Sequence, residues 1–211
     1  MLELGQVILG VRDLDAATRR MEALGFTVLA GGVHPGLGTA NRIIPLGRQY
    51  LELLGVVDHA LAEAQWYGQA LLARIADGDR LVRWSLRTDD IDKVARTHGL
   101  VPERRRRIRP DGRPLSWQAA GLREAAAESW PPFFMQWDDP ADFPGAIPVR
   151  HANGAHGVAW LEVTTPDPER LDRLCAGAEA PLRLGAGAPG LGRVAVATEE
   201  GELILGLGCR A

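Results

Sequence analysis

The sequence predicts an α+β fold built from repeated βαβββ units, and three observations carry that prediction. Three segments share one design: an apolar strand, an aspartate at its end, and an amphipathic helix. Their aspartates, Asp13, Asp90 and Asp167, are evenly spaced, since 90 − 13 = 77 and 167 − 90 = 77. Each helix is then followed by three short apolar runs bounded by turn residues, the pattern of short strands. A fixed period of this kind is the signature of a duplicated supersecondary unit.

The elements follow in order. In the first unit, residues 7–11 form a strand, residues 16–24 a helix closed by Gly25, and residues 26–30, 41–46 and 50–54 three strands. A linker helix over 59–76 leads to the second unit. There, residues 81–88 are a strand and 91–96 a helix closed by Gly99. Residues 104–108, 115–117 and 132–137 are its later strands, the first two joined by the turn Pro110-Asp111-Gly112. A connector over 138–153, marked by Pro140, Pro144 and Pro148, leads to a third unit: strand 158–163, helix 167–174, and strands 181–184, 193–197 and 202–205. The domain division is therefore 1–140, holding units 1–56 and 80–138 joined by the helix over 59–76, and 150–211, holding the third unit. The aspartate has a local task at each junction: its carboxylate caps the orphan N–H groups of the helix, worth roughly 1 kcal/mol.

Composition narrows the function. With 46% hydrophobic and 24% charged residues the chain is globular. A net charge of −3 gives no field to hold a polyanion, so nucleic acid is not an expected partner. No apolar run approaches the roughly 20 residues that span a bilayer, and the N-terminal stretch with Glu3 lacks the basic start of a secretory signal. The two cysteines, Cys175 and Cys209, form neither a disulfide scaffold nor a CxxC pair. The expected setting is the cytoplasm.

The βαβββ repeat, the opening strand ending Val11-Arg12-Asp13-Leu14-Asp15 and the strand Tyr50-Leu51-Glu52-Leu53 resemble the vicinal oxygen chelate superfamily. More narrowly, the stretch His34-Pro35-Gly36-Leu37-Gly38-Thr39-Ala40-Asn41, the run Pro132 to Trp137 and the segment His151 to Ala155 are similar to glyoxalase-like domain proteins. The resemblance covers most of residues 1–165. It implies curved mixed sheets in which two units enclose a cavity for a small molecule, often with a divalent metal.

That resemblance places one metal ligand on the first strand and one on the last strand of each paired unit. Unit one offers Gln6 and Glu52, whose oxygens suit a hard ion. In unit two the first-strand position, seven residues before Asp90, is Arg83, which cannot ligate, and the last strand offers Gln136 or Phe134. The expectation is no metal; the alternative donor set is Gln6, Glu52 and His156. Without metal, period two puts Arg83, Ser85 and Arg87 on one face and Val82, Trp84 and Leu86 under the helix. Arg83 then pairs with Glu52 or offers its donors to a ligand, unless that face meets solvent.

Other candidates have two readings each. His34, in a glycine-rich stretch, reaches the cavity mouth or is solvated; Asn41 meets the ligand or caps a turn. Trp117 and Trp137 are ligand walls or core. His151 and Asn153 close the cavity or form a polar loop. Gly185 to Gly190 satisfies GxGxxG but lies between strands and opens no helix, so no dinucleotide site is read there. Arg104 to Arg107 read as a solvated strand edge.

The leading functional reading is a glyoxalase-like protein that binds or transforms a small oxygenated metabolite, with Glu52 as general base and Arg83 or Gln6 stabilising an enolate oxygen. The rival is a non-catalytic binder walled by Trp117 and Trp137. A third reading is a dimerisation module, with the third unit covering the cavity or pairing across a homodimer. No cofactor is expected.

Overall fold

The computed structural model describes residues 1–206; Cys209 and the end of the third unit lie outside the described residues. The three aspartates do the same work in three places. Asp13 accepts from the N–H groups of Asp15 and Ala16 and starts α1 (Leu14–Ala23). Asp90 accepts from Lys93 N–H and starts α4 (Ile91–His98), which Gly99 ends at φ 66°. Asp167 accepts from Arg170 N–H and starts α6 (Pro168–Leu174). Glycine ends α4 because a left-handed residue without a Cβ costs little there.

Each half of the barrel follows one wiring. In unit one, β1 (Leu2–Val11) pairs in parallel with β4 (Tyr50–Val56), which pairs antiparallel with β3 (Thr39–Pro45), which in turn pairs with β2 (Leu29–His34). In unit two, β5 (Arg80–Thr88) pairs in parallel with β8 (Phe133–Trp137), followed by β7 (Pro114–Ala120) and β6 (Glu103–Ile108). The two halves close into an eight-stranded barrel, β1-β4-β3-β2-β6-β7-β8-β5. One seam is the long antiparallel ladder of β1 and β5; the other is the single pairing Val33↔Ile108 between β2 and β6.

Alternation along the strands sorts the core into two layers. Ile8, Tyr50, Phe133, Met135 and Trp137 point into the barrel, while Val7, Trp84 and Leu86 point out under α1 and α4. Val82 departs from the expected face. A register shift between Ile8 and Leu9 turns it inward, against the Cβ position of Gly10 and Ile75.

The linker helix is two helices, α2 (His59–Glu63) and α3 (Trp66–Ile75), meeting at an angle that lets Gly68 pack on Ala62. The apolar face of α3, Tyr67, Leu71 and Ile75, plugs one end of the barrel, joined by Ala125 of α5 (Leu122–Glu128). Neither the break nor α5 is expected from the sequence. Phe143, in the connector, sits at the opposite end beside Tyr50 and Arg87. The strand expected at 26–30 begins only at Leu29, and β6 is no edge: it is paired on both sides.

The third segment keeps the element order but not the wiring. β9 (Gly157–Thr164) lies between β10 (Leu182–Leu184) and β11 (Gly190–Thr198), with β12 (Gly201–Gly206) outermost, whereas β1 and β5 each pair in parallel with the last strand of their unit. One face of this sheet, with Leu161, Val163 and Val194, packs on the outward layer of the barrel. Backbone bonds from Leu4 N–H to Glu179 O and from Glu179 N–H to Leu2 O stitch it to β1. Among the described residues, no helix is long and apolar enough to cross a membrane.

Candidate functional site

The barrel encloses a cavity of about 40 Å³, room for a few water-sized groups. Unit one contributes its polar wall: Gln6 on β1, His34 at the end of β2, Asn41 on β3, and Tyr50 and Glu52 on β4. Unit two contributes the apolar wall: Trp117, Phe133, Met135 and Trp137, with Leu122 at the start of α5. Tyr67 of α3 and Arg107 of β6 complete it.

At the centre a chain of hydrogen bonds crosses from one half to the other. Arg107 Nη1 donates to Asn41 Oδ1 at 3.0 Å, and Asn41 Nδ2 donates to Glu52 Oε1 at 2.9 Å. All three residues are buried. Gly31 makes the crossing feasible, because a Cβ there would fall on Asn41 Oδ1 and crowd Arg107 Nη1. Burial pushes the Glu52 carboxyl above its ordinary value; the Asn41 bond and the Arg107 and Arg83 charges pull it back only in part. His34 hydrogen-bonds Thr39 Oγ1 at 3.0 Å and is pushed down to about 3 by burial and by the charges of Arg107, Arg83 and Arg105, so its imidazole is neutral.

Gln6, His34, Asn41, Glu52, Trp117 and Trp137 thus converge on one cavity, the two tryptophans tilted against each other at 5.2 Å. Three other candidates lie elsewhere. Ser85 is buried opposite Gln6 but does not reach the cavity wall. Arg83 is buried beneath Tyr67, its guanidinium 4.4 Å from the ring centroid, and makes no salt bridge with Glu52. Gln136 faces outward, its Oε1 accepting from Ile91 N–H at the start of α4. The inward residues of β8 are its odd positions, and a one-residue shift in parity exchanges the faces.

The expected run of solvated arginines is corrected in the same way. Arg104 and Arg106 are exposed, whereas Arg105 and Arg107 turn into the barrel. Period two over the run was the signal for Arg107, and spacing by four along α3 was the signal for Tyr67. His151 is buried, but in the connector: its Nε2 meets Pro45 O at 2.6 Å and its Nδ1 accepts from Thr27 N–H. Asn153 caps α1 through Leu24 O. Both fasten the connector and neither lines the cavity.

The residues do not fit a metal. Register matches Ile8 to Glu52 and Ser85 to Phe133, so the four expected ligand positions fall on Gln6, Glu52, Arg83 and, in place of Gln136 or Phe134, Phe133. Two of them offer oxygen; one is a permanent cation and one has no donor. His156 is exposed at the edge of the third segment, its Nδ1 on Gly154 O, away from Gln6 and Glu52. No group of three His, Cys, Asp or Glu side chains comes together for a metal among the described residues.

Three comparisons bear on this geometry. The family model described as the glyoxalase-like domain matches residues 7–179. None of the curated proteins matches the chain at a significant level. Among solved structures, a hypothetical protein from Staphylococcus aureus superposes with a TM-score of 0.72 at 14% identity, over 92% of this chain and 90% of that one. The Mn(II)-bound glyoxalase from Novosphingobium aromaticivorans superposes with a TM-score of 0.51 at 14% identity, over 91% of this chain and 64% of that one. At such identities these likenesses speak for the fold alone.

Proposed function

Since the chain belongs to the glyoxalase-like domain family of the vicinal oxygen chelate superfamily, we propose that its barrel takes up a small oxygenated metabolite and that Glu52 removes a proton next to a carbonyl group. The observation that carries the reading is the buried chain Arg107–Asn41–Glu52 at the cavity wall. Asn41 fixes one carboxylate oxygen and leaves the other free. Burial raises the carboxyl towards the working range of a general base. In the step, the C–H bond breaks, the proton passes to Glu52, and the electron pair moves onto the carbonyl oxygen. In this reading Arg107 and the Gln6 amide, both on the cavity wall, stabilise that oxygen. Return of the proton to the same or a neighbouring carbon gives an epimer or isomer and needs no further reactant. The buried, unpartnered Gln6 Oε1 would be satisfied by a hydroxyl on the ligand.

The second reading is a non-catalytic binder, favoured by the tryptophan wall of Trp117 and Trp137. Drug-sized ligands occupy roughly 300–1,000 Å³. A cavity of about 40 Å³ favours a substrate of a few heavy atoms over sequestration of a large molecule. The reading also puts the protein in the cytoplasm and allows a homodimer, which light scattering in solution tests. The enzymatic claim is tested in D₂O by NMR, following loss of the α-proton signal of small carbonyl compounds. Wild-type protein should catalyse exchange, and Glu52→Gln should lower it by about 10²–10⁴-fold with binding kept. Binding without exchange in the wild type would leave only the binder.

A further inference from the structure

Among the described residues, two buried arginines have no anion to answer them. Arg83 is 2% exposed and Arg107 5% exposed, and neither makes a salt bridge among the described residues. Arg83 Nε and Nη2 and Arg107 Nε are buried without an acceptor. The nearby carboxylate, Glu52, is hydrogen-bonded by the neutral Asn41 amide instead. Arg87 and Arg105 also leave Nε without an acceptor, but each has a carboxylate on its Nη2, Arg87 pairing with Glu3 and Arg105 with Glu103, and Arg170 pairs with Glu128. A charge out of water is normally paired, because desolvation is costly and only a counter-charge offsets it.

We propose that the missing partner is the ligand: the cavity takes a small carboxylate of a few carbon atoms, held by Arg107 at the wall and by Arg83 behind the Tyr67 ring. The inference rests on the cavity being the ligand site described above, and it adds the substrate class. Nε and Nη2 lie on one edge of the Arg83 guanidinium, spaced for the two oxygens of a carboxylate. The volume of about 40 Å³ suits a short acid and leaves no space for a phosphorylated sugar or a nucleotide. Neutral His34 adds no competing charge of its own. Tyr67, which both lines the cavity and covers Arg83, is the side chain an acid must move to reach that edge.

Calorimetric titration and thermal shift with pyruvate, lactate and acetate, each against its neutral amide, test this at fixed ionic strength. The acids should bind and raise the melting temperature, with the amides at least about tenfold weaker. Arg83→Met should lose about tenfold or more in acid affinity, while its ligand-free melting temperature stays level or rises, because an uncompensated buried charge has been removed. Arg83→Gln, which keeps the polar reach, checks that the effect follows charge. Equal affinity for pyruvate and pyruvamide overturns the proposal. So does an Arg83→Met protein that melts early yet binds acids unchanged, since that arginine is then structural. Acid binding without Glu52-dependent proton exchange supports this inference and removes the catalytic reading. Exchange restricted to neutral carbonyl compounds does the reverse.

Discussion

Two glutamates are buried inside the same barrel, and their surroundings push them in opposite directions. Glu3, at the end near Phe143, receives the guanidinium groups of Arg87 and Arg48 directly. Burial alone would raise its carboxyl, but those hydrogen bonds and charges outweigh burial and hold it below the ordinary value. Glu52, at the centre, has two guanidiniums in its neighbourhood and hydrogen-bonds neither; an amide stands in between, and its carboxyl is held above the ordinary value. The residue types match at the two places. Contact distance decides which pair is finished and which stays open for chemistry.

Substitutions that exchange the two situations are the most direct way to break this contrast. Asn41→Leu removes hydrogen bonds to both a buried carboxylate and a buried guanidinium, and should cost about 3 kcal/mol in urea unfolding. Arg87→Met leaves Glu3 with only the exposed Arg48, and should cost about 2–3 kcal/mol. Arg83→Met should cost nothing. Equal losses for the two arginines would erase the distinction between a paired and an unpaired cation. Gly31→Ala forces Asn41 and Arg107 apart and should cost roughly 1–3 kcal/mol, with a lower Glu52-dependent exchange rate than an alanine elsewhere in the barrel gives.

Stability against pH sharpens the contrast. Glu3 has a depressed folded value, so its contribution is present above the ordinary value of 4.5 and is lost as pH falls through the depressed one. Glu52 has a raised folded value, so its contribution is present below the ordinary value of 4.5 and fades as pH rises through the raised one. Unfolding of Glu3→Gln and Glu52→Gln across the acid to neutral range should therefore give differences from wild type of opposite slope. The smallest effect is expected at the helix starts. Asp13→Ala, Asp90→Ala and Asp167→Ala should each cost about 1 kcal/mol by urea titration, as equivalent caps must.

Those caps were legible because a cap is local: an aspartate, a helix pattern and a fixed spacing are all in one stretch of sequence. The cavity position of Glu52 was read from the resemblance, which puts a ligand position on the last strand of unit one, and Glu52 lines the cavity. Gln136 was misplaced, since one residue of parity decides the face and nothing near 133–137 marks it. Arg107 was hidden in a run of four arginines, where composition suggested solvent and only alternation separated inward from outward. Tyr67 belongs to a linker that has no counterpart in the repeat. The wiring of the third segment was out of reach, because β9 finds its partners through surfaces distant in sequence, and element order does not encode strand order.

The position of β1 has a bearing on how the molecule comes into being. β1 is synthesised before any strand it pairs with: it takes β4 on one side, β5 on the other, and two backbone bonds with Glu179 near its start. Until those later segments have been synthesised it is an open apolar edge, the kind of surface that chaperones hold and that misassembles when crowded. Closure of the barrel therefore waits on synthesis through β8, and a stalled or truncated product lacking the region of Glu179 would carry β1 with part of its pairing unmade.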